Sequence, residues 1–173
     1  MTSARSPVEA HREQGTSWSC IAACVSMVDE WRSPGRGVTE AALLAGWAEP
    51  KTSWDHAAAA GELRFWDPTE PTTFERLRVA VRVGWVIVTL FPGPLLHFTR
   101  QRRPVPVSKH GDLLPYAEAR TARGLPHAVV LVEAPRDDCF CYLDPYYPSS
   151  AQPFSLTEDE LADAWTGNLV IPR

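Results

Sequence analysis

Lysine is almost missing from this 173-residue chain: Lys51 and Lys109 are the only two, so nearly all positive charge is arginine, a bias that carries no mechanism of its own. A long apolar run is also missing, which excludes a helical membrane span. Residues Met1 to Gln14 hold Arg5, Glu9, His11, Arg12 and Glu13 but no apolar core segment, so they do not form a secretory signal, and cytoplasmic residence is expected. Excess positive charge is absent too: 17 Lys+Arg face 21 Asp+Glu for a net −4, and basic residues gather only around Arg100 to Arg103. Nucleic acid is thereby excluded as the expected partner. The four cysteines, Cys20, Cys24, Cys139 and Cys141, are too few for a disulfide scaffold in a chain this large and are expected as free thiols.

What is present, 45% hydrophobic and 22% charged residues, suits an ordinary globular core. One domain spanning 1–173 is expected, with 1–12 as a flexible N-terminal arm. Ile21, Cys24, Val25, Val28 and Trp31 recur at helical spacing behind Ser17 or Ser19 as N-cap, which places Cys20 at a helix start; Ser33-Pro34-Gly35-Arg36-Gly37 ends that helix. Further helices are predicted over Thr39 to about Trp47 and Ser53 to Gly61. Another should start at a Thr72/Glu75 capping box and end at Gly84 as its C′ residue.

Trp85 to Phe91 is a β-branched and aromatic run that predicts a strand buried on both faces and stopped by Pro92-Gly93-Pro94. Leu95 to Gly124, rich in proline and arginine, is expected to wander over the surface, with one short helix near Tyr116 to Arg123. Ala128 to Val132 and Cys139 to Leu143, joined through Ala134 to Asp138, predict a β-hairpin. A Thr157/Glu160 capping box opens a helix to about Trp165, and Leu169 to Ile171 adds a short last strand. The fold class is α+β.

A cysteine acts as nucleophile through its thiolate, and a helix N-terminus or a neighbouring imidazolium lowers the thiol from its ordinary value near about 8.5. Cys20 has the first by position, and His127, opening a strand after Gly124-Leu125-Pro126, can supply the second. Asp144 closes the partner strand of the same hairpin, so the two residues share its open end and the carboxylate can orient the imidazole. Gln14, six residues before Cys20, is placed to join the Cys20 N–H in holding an oxyanion.

Gln14-Gly15, Ser19-Cys20, a histidine before a hydrophobic strand and an Asp on the next strand resemble the papain-like cysteine peptidases in order and spacing. Cys20-Ile21-Ala22-Ala23-Cys24, His127-Ala128-Val129-Val130 and Leu143-Asp144-Pro145 are similar to a bacterial branch, the bacteriocin-processing peptidases that remove double-glycine leaders. The chain departs from that branch at Ser19, at Ile21 and in the length of Leu95 to Gly124. The resemblance implies an N-terminal helical part bearing the nucleophile, packed on a mainly antiparallel sheet bearing His and Asp. It carries over Cys20, His127, Asp144 and Gln14 as site residues, and it implies a peptide or protein substrate but not leader recognition.

Cys24 falls one turn later and is expected in the core. Cys139 and Cys141 share a strand face and are expected to pack there, since structural zinc favours Cys-x2-Cys knuckles; neither metal nor cofactor is expected. His11, His56, His97 and His110 are expected in solvated or structural roles, His110 being the one fallback base. Trp18 either walls a cleft or staples the helix start, while Tyr146 and Tyr147 pack at the rim and Arg100, Arg102 and Arg103 face solvent. The expected activity is hydrolysis of a peptide or related acyl bond through a thioester. Acyl transfer to an amine, and a non-catalytic peptide-binding module, stay open beside it, as does the oligomeric state.

Overall fold

Every residue of β2 (Val86–Leu90) is buried because this strand lies inside a six-stranded sheet with apolar material on both faces. The computed structural model describes residues 5–47, 54, 57–58, 61–111, 125–136 and 138–172. The strands β1 (Gly61–Phe65), β2, β3 (His127–Arg136), β4 (Cys139–Leu143), β5 (Phe154–Thr157) and β6 (Trp165–Pro172) run in the order β1-β6-β2-β3-β4-β5. All neighbours are antiparallel.

Alternation along the strands divides the core in two. Ile87, Ala128, Val130, Leu143 and Val170 meet α1 (Cys20–Arg32) through Ile21, Cys24, Val25, Met27 and Val28. Val88, Val129, Leu131, Phe140 and Tyr142 meet α3 (Thr73–Val83), α4 (Pro92–Arg102) and α5 (Glu158–Ala164) through Phe74, Leu77, Leu95, Leu96 and Leu161. The short α2 (Glu40–Gly46) is capped by Thr39, whose Oγ1 accepts from the Ala42 N–H at 3.2 Å. The expected α+β class, the buried strand, the hairpin and the Thr157/Glu160 capping box are all observed.

Several local expectations are corrected. Residues 5–12 are no free arm: a 3-10 turn over Pro7–Ala10 leads to Ala10 and His11, both buried, and Arg5 reaches Glu30 at 3.2 Å. Thr72 makes no side-chain cap, and Gly84 ends α3 in extended backbone and not in the left-handed C′ conformation. Pro92-Gly93-Pro94 does stop β2, but by starting α4, because proline suits a first turn whose N–H groups have no intrahelical acceptor. The stretch expected as surface excursion therefore begins as a helix that buries Leu95, Leu96, Phe98 and Thr99. Its arginines are engaged as well: Arg102 pairs with Glu160, while Arg103 donates to the Pro153 carbonyl at 2.7 Å and lies over the Phe154 ring.

β1 and β5 carry no clear sequence signal, and β6 is longer and more central than the expected short last strand. Gly167 interrupts the hydrophobic pattern of β6 at φ +88°, where the β2 register slips between Val88/Leu169 and Leu90/Trp165, as in a bulge. A Cβ there would sit 2.5 Å from Phe65 Cε2. The helix expected near Tyr116 to Arg123, and most of the one expected over Ser53 to Gly61, lie outside the described residues; Gly61 itself opens β1.

Candidate active site

Antiparallel pairing sets His127 at the start of β3 and leaves Asp144 one residue past the end of β4, at the same end of the sheet. There the His127 Nε2–H donates to Asp144 Oδ1 at 2.7 Å, with both side chains almost fully buried. The other ring nitrogen is left for Cys20, the first residue of α1, which lies near enough to the His127 ring for each to shift the other's titration. Cys20 keeps partial solvent access, while Cys24, one turn on, has none. Cys20, His127 and Asp144, singled out by spacing, thus converge in one cluster.

The electrostatics follow from this arrangement. Burial opposes charge on the His127 ring, but the Asp144 carboxylate and its hydrogen bond outweigh that, with Cys20 adding to them, and His127 is pushed up to about 10. Burial likewise works against a Cys20 thiolate; the His127 hydrogen bond and charge, then the Ala128 and Ile21 N–H groups, overcome it and lower the thiol. Both shifts favour charge separation between the sulfur and the ring over the neutral pair. At Cys24, burial and the Cys20 charge push the thiol well up, which leaves it an inert core side chain. Burial and its neighbour Cys139 push Cys141 up to about 11.

Asp144 is held on every side. Its Oδ1 also accepts the Tyr146 N–H at 2.9 Å, and the Tyr146 ring stands edge-on to His127 at 5.8 Å. The Gln152 side chain bonds both its N–H and its carbonyl, at 3.0 and 2.9 Å, and His11 Nε2 reaches the same carbonyl at 3.0 Å. His11 Nδ1 accepts from Ser149 Oγ at 2.8 Å; burial keeps this imidazole below its ordinary value and so neutral, a role no motif around His11 signals. Tyr146 and Tyr147 are buried packing residues, as expected.

The loop ahead of α1 is pinned with equal care. Gln14 is fully buried; its N–H donates to the Pro145 carbonyl at 2.7 Å and its carbonyl accepts from His110 Nε2 at 2.9 Å. That contact gives His110 a structural task. Glu40, at the start of α2, accepts the Gly15 N–H at 2.9 Å, another clamp that sequence reading misses because the two residues are 25 apart. Ser19 makes no helix cap: its Oγ bridges the N–H and carbonyl of Thr16, at 3.1 and 3.2 Å. The Gln14 Nε2 donates one hydrogen to the Thr16 carbonyl at 2.6 Å, which leaves its second hydrogen unassigned, and Oε1 has no partner among the described residues. Trp18 is 63% exposed, so it does not staple the helix to the core.

No group of three or more potential metal ligands occurs among the described residues. No described helix is long and apolar enough to cross a membrane.

No protein-family model matches this chain, and no curated protein matches it in sequence. Among solved structures it is similar to the peptidase domain of Streptococcus ComA, a bifunctional ABC transporter involved in a quorum-sensing pathway. That match has a TM-score of 0.53 and 15% identity, and it covers 94% of this chain and 97% of the other. At that identity the likeness concerns architecture: a helix bearing Cys20 on an antiparallel sheet bearing His127 and Asp144, which is the papain-like fold.

Proposed function

We propose that this chain is a cysteine peptidase in which Cys20 is the nucleophile, His127 the acid and base, Asp144 its orienter and Gln14 an oxyanion donor. The Cys20–His127–Asp144 cluster, with His127 Nε2 committed to Asp144 at 2.7 Å and Cys20 beside the same ring, carries this reading. The shared fold with a peptidase domain supports it.

In this mechanism the Cys20 thiolate adds to the carbonyl carbon of a peptide or related acyl bond. The developing oxyanion takes the free Gln14 amide hydrogen and the Cys20 N–H, which lies in the first turn of α1 where no intrahelical acceptor exists. His127 protonates the departing amine, and the thioester forms as the C–N bond breaks. Neutral His127 then takes a proton from water, whose oxygen attacks the thioester and returns the Cys20 thiolate and the imidazolium.

Iodoacetamide labelling followed by peptide mapping, with turnover of a peptide library followed by mass spectrometry, tests the assignment. Cys20 is expected to be labelled first among the four cysteines, and Cys20→Ala is expected to lose both that label and all turnover while keeping its thermal midpoint. Preferential labelling of Cys24, Cys139 or Cys141 refutes it. Peptide binding without turnover by the unaltered protein reassigns the fold to a binding role.

A further inference from the structure

The β4–β5 ladder pairs Cys139 with Thr157, Phe140 with Leu156, Cys141 with Ser155 and Tyr142 with Phe154. Continued in the same register, Leu143 would face Pro153 and Asp144 would face Gln152. Main-chain pairing cannot reach that far. Pro153 has no N–H to give. The Gln152 N–H is already spent on the Ser149 carbonyl at 3.1 Å, closing the short 3-10 turn over Ser149–Ala151.

The Gln152 side chain makes the missing bonds instead. A primary amide offers an acceptor and a donor side by side, as a strand neighbour does. Its Oε1 accepts the Asp144 N–H at 3.0 Å and its Nε2 donates to the Asp144 carbonyl at 2.9 Å, with a longer bond to the Tyr147 carbonyl at 3.4 Å. The same carbonyl also takes His11 Nε2–H at 3.0 Å and, more weakly, the Tyr147 N–H at 3.3 Å. The main chain of Asp144 therefore has no free donor or acceptor about which to rotate, although the residue lies beyond the last ladder pair.

We infer that Gln152, completed by His11, is a positioning residue: a side-chain extension of the sheet that fixes Asp144 so that its carboxylate stays on His127 Nε2. This rests on the reading of Asp144 as orienter. The Gln152 side chain hydrogen-bonds Asp144 and Tyr147, and its action on His127 runs through Asp144. The titratable groups that face Asp144 are His127 and His11, with Tyr142 and Cys24 in its field, and those that face His127 are Asp144 and Cys20.

Gln152→Met keeps the length of the side chain and removes both bonds. Two readouts report on the site and not on bulk stability: the pH midpoint of the His127 ring by NMR, assigned by its loss in His127→Gln, and the rate of Cys20 alkylation by iodoacetamide. The midpoint is expected to fall from about 10, and alkylation at pH 8 to slow at least threefold. Thr157→Ala, which weakens a helix cap elsewhere, should move neither. If Gln152→Met does not fold, Gln152→Asn, one carbon too short to reach both atoms, should move both readouts the same way by less. A Gln152 variant that lowers thermal stability but leaves both readouts in place overturns the inference while the proposed function stands. An unaltered protein with an ordinary His127 midpoint and no fast Cys20 label overturns both.

Discussion

Replacing Asp144 by Asn separates the shape of the site from its charge. An Asn Oδ1 can still accept from His127 Nε2–H and from the Tyr146 N–H, and the Gln152 and His11 contacts involve only main-chain atoms. The geometry should survive. The carboxylate, however, is the main group opposing burial at His127 and holding the ring charged up to about 10. The sign follows: without it the charged form is disfavoured and His127 gives up its proton at lower pH. At pH 9 a ring titrating at about 10 is roughly nine-tenths protonated; if the midpoint falls to about 8, roughly one-tenth is. The acid that protonates the leaving amine is then about tenfold scarcer at pH 9, while below about pH 7 the two proteins should differ little in His127 charge. The alkaline limb of kcat therefore moves to lower pH in Asp144→Asn, and the His127 ring titration by NMR moves with it. An alkaline limb and ring midpoint at the same pH in both proteins would refute the argument and remove Asp144 from the mechanism.

Gln14→Ala should cut kcat by about 10²–10³, the loss typical of one oxyanion donor, yet alkylation of Cys20 builds no oxyanion and should keep its rate; slowed alkylation would mean the variant had damaged the Cys20–His127 pair instead. Thr157→Ala removes the hydroxyl that accepts the Glu160 N–H at 3.3 Å, a cap worth about 1 kcal/mol, so a melting curve should shift down by roughly 2–4 °C. Gly167→Ala forces a side chain into φ +88° and into the Phe65 ring 2.5 Å away, so chemical denaturation should show a loss of about 1–3 kcal/mol; an unchanged midpoint would mean that the β6 bulge relaxes freely.

The parts of this fold that the sequence discloses are those where one local signal decides. Val86 to Leu90 is apolar at every position because it is central, and Thr157 and Glu160 cap reciprocally within four residues. The site was legible for the same reason: a helix start at Cys20 and the two ends of one hairpin bring Cys20, His127 and Asp144 together. What stayed hidden depends on distance along the chain. β1, with Glu62 and Arg64 both exposed, carries no apolar signal and is a strand because β6 pairs with it, and Pro92 and Pro94 look like breakers until apolar residues behind them find a face to bury. Glu40 beneath Gly15 and Gln152 beside Asp144 are side chains substituting for backbone, which no periodicity records.

The central place of β6 has a consequence for how the chain is made. Residues 165–172 lie between β1 and β2, and among the described residues β6 is the only strand β1 pairs with. On a ribosome, α1 and the β2–β3–β4 meander emerge first and can bring Cys20 toward His127, but β1 lacks its β6 partner and β2 shows a bare apolar edge until β6 has emerged. Such an edge is a template for pairing with another chain, and a closing contact spanning about a hundred residues is slow to form. Nascent chains stalled short of residue 165 should therefore be the form of this protein most prone to aggregate.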